Sequence, residues 1–334
     1  ASMNSSNQYM VSTYTNGVFE VNDNLITNVY YAGNTDSIVG QKIGGLTYDA
    51  YGNLYVITNY STKPFSVRTT DGNWYNYELD PQWNDLYYNS SIKLINTYNN
   101  DKWTISSRGK GILVWNDDRH PEIKPTNYKR FDLRDDEGLI IDATLNDIIQ
   151  DHEGTIWIAT SSGIAVYDYP QYALSDEYEF YARRPQIVVE GYLKGLLDGE
   201  NVTCIAVDGA NRKWLGTEGG GVFLVSADGT EQIMSWNTYN SKLFSNNIYS
   251  IAVNQKTGEV FIASDKGLQS YKSTSTEGRS NYNNIYAFPN PVKGDYNGII
   301  TVRGLMYNTY VKISDLSGNV VYETISNGGD AIWN

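Results

Sequence analysis

The residues that could carry out catalysis are few and scattered in this chain. Its two histidines, His120 and His152, are predicted to lie in exposed loops, and its single cysteine, Cys204, lies inside an apolar strand. A zinc site needs several converging ligands, a nucleophilic cysteine needs an exposed electropositive setting, and no Asp-x-Asp-x-Asp-Gly calcium loop occurs. We therefore predict no catalytic residue, no metal site and no cofactor.

Adjacent acidic residues are the remaining candidates for catalysis. Asp117-Asp118 and Asp135-Asp136-Glu137 could flank a glycosidic bond, as paired carboxylates do in glycosidases. Runs of this kind are more often exposed loop charge. The adjacent pair Arg183-Arg184 has no neighbouring arginine in sequence that would mark a cluster gripping a substrate carboxylate. A glycosidase is therefore the least favoured interpretation of this chain.

Basic residues in short loops between strands point instead to ligand binding. Arg108, Lys110 and Lys266 each follow the second strand of a repeated unit. Their charges could grip phosphate or carboxylate groups of an anionic glycan, against an otherwise acidic surface. Their other interpretation is ordinary solvated charge. We predict these three as the ligand-binding residues.

A repeat with a period near 50 residues must position these loops. Each copy has an apolar strand, a polar turn, a second strand that opens on a large apolar residue, a loop of small residues and a third strand. The residues that open the second strand are Met10, Tyr55, Trp103, Trp157, Trp214 and Phe261. Because such a period holds about four short strands, it predicts propeller blades whose large rings fill the seams between neighbours.

The turn before the second strand begins with Asp or Asn in five copies. Side chains of these residues fold back onto the turn backbone and stabilise it. The five residues are Asp49, Asn99, Asp151, Asp208 and Asn254. No inner strand is predicted before Met10, so we expect the chain to begin inside a blade. The fold class is all-β, with six visible blade repeats that form part of a seven-bladed ring.

Composition limits the partners and the location. The net charge of −13 argues against a nucleic-acid partner. The start, Ala1-Ser2-Met3-Asn4, has neither a basic nor an apolar leader region, and no apolar run is long enough to span a bilayer. Together with 29 tyrosines and one cysteine, this mix suits an extracytoplasmic all-β protein.

A second module follows the repeats. Residues 1–272 are predicted to form the propeller, and the polar stretch 273–284 reads as a linker. Residues 285–334 contain Phe288-Pro289-Asn290-Pro291 and several short strands, with a tight turn at Leu316-Ser317-Gly318-Asn319. We expect a small antiparallel sandwich that is incomplete, since about 50 residues make a thin core.

Two families resemble these modules. The segments from Asp151 to Val166 and from Asp208 to Val225 resemble propellers of the two-component-regulator type, with Asp-x-x-Gly followed by Trp-Ile/Leu-Gly/Ala-Thr. The end of the chain, from Phe288-Pro289-Asn290-Pro291 to Asn334, resembles the C-terminal sorting domain of type IX secretion. The combination is similar to the propeller subunits of the type IX cell-surface attachment complex.

That resemblance implies a function without catalysis. It implies a scaffold or binding subunit at the periplasm or outer-membrane surface, with protein partners that include a sortase-like transpeptidase and with an anionic lipopolysaccharide as ligand. The alternative is the ectodomain of a hybrid two-component receptor that senses oligosaccharides. The sorting-domain-like module argues against that alternative, because such receptors continue into a different sandwich and a membrane helix.

Overall fold

The computed structural model describes residues 2–3, 9–35, 38, 42–84, 90–189 and 191–333. Of the terminal residues discussed above, Ala1, Asn4 and Asn334 lie outside these ranges. The chain divides into two compact units, one of residues 1–184 with 197–202 and the other of residues 185–196 with 203–334. Within the described residues, no helix is long and apolar enough to cross a membrane.

The first unit contains four consecutive antiparallel sheets, each a meander in chain order. The first sheet comprises β1 (Ser2–Met3), β2 (Tyr9–Ser12), β3 (Val18–Asn22) and β4 (Leu25–Tyr30). The second comprises β5 (Ile43–Tyr48), β6 (Leu54–Thr58), β7 (Phe65–Arg68) and β8 (Trp74–Tyr77). The third comprises β9 (Ser91–Asn96), β10 (Lys102–Ser106), β11 (Ile112–Asn116) and β12 (Asn127–Phe131). The fourth comprises β13 (Leu145–Gln150), β14 (Ile156–Thr160) and β15 (Gly163–Tyr167), followed by a 3-10 turn over Pro170–Tyr172.

The second unit begins with a hairpin and continues with two more meanders. The hairpin comprises β16 (Gln186–Val189) and β17 (Tyr192–Gly195). The first meander comprises β18 (Val202–Val207), β19 (Lys213–Thr217), β20 (Val222–Val225) and β21 (Gln232–Trp236), of which Val202 belongs to the first unit. The second comprises β22 (Ile248–Asn254), β23 (Glu259–Ser264) and β24 (Gly267–Lys272). These six meanders are the predicted blade repeats, so the all-β, propeller-type fold class is confirmed.

The terminal strands of the second unit form two small antiparallel sheets. One comprises β25 (Tyr286–Phe288), β26 (Ile300–Arg303) and β29 (Asp330–Trp333). The other is a hairpin of β27 (Tyr310–Ser314) and β28 (Val320–Ile325). The rings of Tyr322 and Trp333 stack with their centroids 6.0 Å apart, which joins the two sheets. This is the predicted small antiparallel sandwich.

Large rings fill the seams between neighbouring sheets of a unit, as predicted. The centroid of Trp103 on β10 lies 5.9 Å from that of Tyr167 on β15, and Leu145 and Ile148 of β13 complete this cluster. Removing such rings from water is the main stabilising contribution to the fold. The buried residues at the repeated position are Met10, Tyr55, Trp103, Trp157 and Trp214. Phe261 is half-buried, because its three-stranded sheet ends in the largely exposed strand β24.

A strand precedes Met10 in the first sheet, contrary to the prediction that none does. Ser2–Met3 pairs antiparallel with β2, so the first sheet has its inner strand. A two-residue strand carries too little periodicity to be detected in the sequence.

The turn before the second strand is closed by the side chain of its first residue, as predicted. Asp151 Oδ1 accepts hydrogen bonds from the backbone N–H groups of Glu153 and Thr155, each at 3.0 Å. Its second carboxylate oxygen accepts one from Nε1 of Trp157, also at 3.0 Å. The same side-chain-to-backbone closure occurs at Asp49, Asp208 and Asn254. The side chain therefore fixes the turn and, at Asp151, ties it to the buried ring.

In the third copy, the prediction that Asn99 begins the turn is wrong. Thr97 holds that place, six residues before Trp103, as Asp151 precedes Trp157 by six residues. Its Oγ1 accepts a hydrogen bond from the backbone N–H of Asp101 at 3.1 Å. A threonine hydroxyl closes turns less strongly than a carboxylate, which makes its role harder to see in sequence.

The stretch predicted as a linker contains buried residues at its start. Ser273, Ser275 and Thr276 are buried. The Thr276 carbonyl accepts a hydrogen bond from the backbone N–H of Gly329 at 2.8 Å, and Glu277 donates its N–H to the carbonyl of Gln255 at 2.8 Å. The chain therefore runs into the terminal strands through a packed segment. The division into residues 1–272, 273–284 and 285–334 stays a prediction.

Carboxylates that close turns should make the free energy of unfolding depend on pH. Hydrogen bonds from the Asn319 side chain and backbone lower the pKa of Asp315, which holds the turn of the β27–β28 hairpin, below its ordinary 3.8. Stabilisation by such a group is complete above that value and is lost as pH falls through the lowered pKa. In urea titrations between about pH 5 and 2, we expect Asp315→Asn to lose less stability on acidification than wild type. An unchanged pH dependence would contradict this assignment.

Candidate ligand-binding site

Arg108 and Lys110 lie on one loop of the first unit, between β10 and β11. Arg108 is exposed, and its backbone N–H donates to Ser106 Oγ at 3.2 Å. Gly111 closes the loop with φ of +74°, and a Cβ there would lie 2.4 Å from the carbonyl oxygen of Phe131. Only glycine suits this conformation and space, so the loop geometry is strictly set.

A hydroxyl at the end of the second strand closes the equivalent loop in other sheets. Thr160 Oγ1 donates to the Gly163 carbonyl at 3.0 Å, and Thr217 Oγ1 donates to the Gly221 carbonyl at 3.0 Å. Thr13 and Ser264 make the corresponding bonds in the first and last meanders. Sequence reasoning missed this role, although the recurrence of Ser or Thr at that place was a usable signal.

Arg130 of β12 adds a third cation beside the Arg108–Lys110 loop. Its Nη1 donates to the Lys110 carbonyl at 3.2 Å and lies 3.4 Å from Asp132 Oδ1. Three basic side chains with one neighbouring carboxylate could hold an anionic group. Arg130 was not singled out in the sequence, because only strand pairing brings it to this loop.

Lys266 lies on the β23–β24 loop of the second unit and is exposed. Hydrogen bonds from the side chains of Ser245 and Asn247, together with the charge of Lys266, lower the pKa of the adjacent Asp265. The Asp265 carboxylate therefore stays charged beside Lys266 and offsets its charge. Ligand binding by Arg108, Lys110 and Lys266 stays a prediction.

The residues considered for catalysis are exposed, buried in a strand or paired with neighbouring groups of the fold. His120 and His152 are exposed, as predicted, and Cys204 is buried in β18, as predicted. Arg183 forms a two-pronged pair with Asp168, at 2.6 and 2.9 Å. Asp135 Oδ1 accepts hydrogen bonds from its own turn. Across the described ranges, no group of three or more His, Cys, Asp or Glu side chains could hold a metal ion.

Asp117 is buried, which corrects its interpretation as exposed loop charge. Its Oδ1 lies 3.0 Å from Lys102 Nζ, and both side chains are 0% exposed. Its Oδ2 accepts a hydrogen bond from the Tyr55 hydroxyl of the neighbouring sheet. Burial, and then the nearby Tyr77 and Asp117, raise the pKa of Tyr55 far above its ordinary value. This carboxylate therefore holds two sheets together, and both of its oxygens accept hydrogen bonds.

Several clefts are lined by polar or aromatic side chains. One of about 590 Å³ in the second unit is lined by Lys256, Glu277, Arg279 and Arg303, of which Arg303 pairs with Asp330 at 2.7 and 2.8 Å. Another, of about 410 Å³ in the first unit, is lined by tyrosine and asparagine side chains. These clefts and the Arg108–Lys110 loop are the surfaces best suited to recognition.

Comparison with solved structures identifies proteins that are similar to this chain. It matches the structure of PorZ from Porphyromonas gingivalis over 99% of its length, with a TM-score of 0.77 and 26% sequence identity. This chain resembles PorZ. PorZ is described as an essential bacterial surface component of the type IX secretion system of that oral bacterium. The chain spans 46% of the PorZ chain.

Two further solved structures match the chain at lower sequence identity. Virginiamycin B lyase of Staphylococcus aureus matches 80% of this chain, over 82% of its own, with 13% identity and a TM-score of 0.55. The extracellular domain of a protein described as a hybrid two-component system from B. thetaiotaomicron matches 99% of this chain, over 50% of its own, with 18% identity. Its TM-score is 0.43. No protein-family model and no curated protein matches the chain.

Proposed function

We propose that this chain is a non-enzymatic scaffold and binding subunit of a bacterial cell-surface secretion and attachment complex of the type IX class. The observation that carries the proposal is the match to PorZ over 99% of the chain at a TM-score of 0.77. The terminal sandwich, with its Phe288-Pro289-Asn290-Pro291 segment, supports the same assignment. The chain would act outside the cytoplasm, at the periplasm or the outer-membrane surface.

The partners would be proteins of the complex, including a sortase-like transpeptidase, and an anionic lipopolysaccharide. Arg108 and Lys110, with Arg130 beside them, would contact phosphate or carboxylate groups of that lipopolysaccharide, and Lys266 would do so on its own loop. The absence of catalysis is part of this proposal. So is the absence of a nucleic-acid partner, because the net charge is −13.

The test is recovery of partners with the tagged full-length protein from the bacterium that encodes it. We expect type IX components in the purified material, and we expect deletion of the gene to stop surface attachment of cargo proteins. The double variant Arg108→Ala/Lys110→Ala should bind purified anionic lipopolysaccharide about tenfold more weakly, and Lys194→Ala, an exposed lysine on β17, should bind normally. Recovery of an inner-membrane sensor kinase in place of type IX components would refute the proposal.

A further inference from the structure

A polar cleft of about 410 Å³ opens where three turns of the first unit meet. The turns are those joining β5 to β6 and β9 to β10, and the connection that follows β11. Its lining residues are Ala50, Tyr51, Tyr98, Asn99, Asn100, Asn116, Asp118 and Arg119. Two rings, several side-chain amides and one charge of each sign therefore share a single concave surface.

The two tyrosines are exposed although their surroundings hold them in place. Tyr51 is 46% and Tyr98 is 68% exposed. The Arg119 guanidinium lies 5.1 Å from the centroid of the Tyr51 ring, and the backbone N–H of Tyr98 donates to Gln150 Oε1 at 2.8 Å. Two exposed aromatic side chains are thus available to a ligand, and the Arg119 guanidinium covers one face of the Tyr51 ring.

Asn100 supplies a polar atom that needs a partner. The residue is 9% exposed, and its Oδ1 finds no hydrogen-bond partner within the part of the chain that the structure describes. A buried acceptor without a partner is destabilising, and native proteins seldom keep one without a reason. Because this oxygen is itself buried, the Asn100 side chain must rotate toward the cleft before a ligand hydroxyl can donate to it.

The backbone around the cleft is held in a conformation that costs free energy. Asn100, Asp118 and Arg119 have φ values of +63°, +49° and +67°. An arginine in this left-handed region is uncommon. The turn is maintained by hydrogen bonds from Asp118 N–H to Asn116 Oδ1, at 2.8 Å, and from Asn116 Nδ2 to Asp101 Oδ1, at 2.6 Å. The backbone of these lining residues is therefore positioned before a ligand arrives.

These features together select one class of ligand. The C–H face of a sugar ring packs against an aromatic face, while its ring-edge hydroxyls pair with amides and carboxylates, so each group in the cleft has a counterpart on a saccharide. A nucleic acid is disfavoured by the net charge of −13, and an apolar peptide would leave the polar lining unpaired. We infer that this cleft is a saccharide-binding site centred on Tyr51, Tyr98 and Asn100.

The site is separate from the Arg108–Lys110 loop. In the β9–β12 meander, the turn before β10 and the connection after β11 lie at one end of the strands, and the β10–β11 loop lies at the other. A five-residue strand such as β10 separates the two ends by about 15 Å. Recognition by the cleft rests on stacking and on hydrogen bonds to uncharged sugar hydroxyls, so its affinity should depend little on salt, whereas binding by the loop should weaken as salt rises.

The experiment measures binding of lipid-free surface polysaccharide, purified from the bacterium that encodes the protein, to the full chain by calorimetry in high salt. We expect Tyr98→Ala and Asn100→Gly each to weaken binding about tenfold. Glycine keeps the positive φ of Asn100, so the second variant removes the amide without straining the turn. The matched control is Tyr239→Ala, since Tyr239 is 94% exposed and lies outside the cleft.

Two results would overturn the inference. One is the absence of saturable binding by the wild-type protein. The other is equal affinity of wild type, Tyr98→Ala and Asn100→Gly, each shown to be folded by its unfolding curve. If Arg108→Ala/Lys110→Ala alone weakens lipopolysaccharide binding, the cleft assignment fails while the proposed function stands.

Discussion

Asp117→Ala is expected to lower the free energy of unfolding by about 3–5 kcal/mol. The substitution leaves the Lys102 ammonium group, 0% exposed, without its carboxylate 3.0 Å away. An unpaired charge in this setting cannot reach water, so its burial becomes strongly unfavourable. The Tyr55 hydroxyl loses its acceptor at the same time. Urea unfolding, followed by tryptophan fluorescence, measures the change.

A matched control separates burial from pairing. Lys129 and Asp176 also lie 3.0 Å apart, but Asp176 is 95% exposed. Asp176→Ala should change stability by at most about 1 kcal/mol, because water screens an exposed pair. The triple variant Tyr55→Phe, Lys102→Met and Asp117→Leu should recover most of the lost stability, since it removes the buried ammonium, the buried carboxylate and the Tyr55 hydroxyl together. Equal effects of Asp117→Ala and Asp176→Ala would show that the Asp117 cluster is not buried as described.

Gly209→Ala is expected to destabilise the second unit by about 1–3 kcal/mol or more. A Cβ at this buried position would lie 2.1 Å from both the carbonyl carbon and the oxygen of Thr276. These are backbone atoms, so no side chain can rotate away. The segment that enters the terminal strands must shift, and the bond from the Gly329 N–H to the Thr276 carbonyl weakens with it.

Limited proteolysis should detect that shift as well as the loss of stability. We expect new cleavage between residues 277 and 284 in Gly209→Ala. Gly294→Ala is the control, because a Cβ there meets no atom within 4 Å. Its digestion pattern and its urea midpoint should match those of the wild type. A Gly209→Ala protein with wild-type stability and digestion would mean that this contact is looser than described.

Most of the secondary structure could be predicted from local patterns in the sequence. The second strands begin where a large apolar residue follows a polar turn, and the burial of Trp103, Trp157 and Trp214 follows from that position in the repeat. Turn closure by Asp151 and Asp208 was also predictable, because an Asp side chain bonds to backbone groups only two and four residues away. Where the local signal was weak, as at Thr97 and Ser2–Met3, the prediction failed.

The candidate sites depended on contacts that sequence spacing does not encode. Arg108 and Lys110 could be named as loop cations, but the placement of Arg130 beside them required the pairing of β11 with β12. The saccharide cleft combines Tyr51 and Tyr98 from turns of different sheets, and no motif joins them.

By itself, the sequence determined the blade repeat, the all-β class, the buried rings and the self-closing turns, because each follows from a local pattern of residues that recurs along the chain. Only the tertiary structure decided that Asp117 is a buried carboxylate bound by Lys102 and by Tyr55, 62 residues earlier in the chain. It also decided that Thr276 packs against Gly209. The physical reason is that burial and pairing at these positions arise when separate sheets and segments meet, and that meeting depends on the whole packed chain.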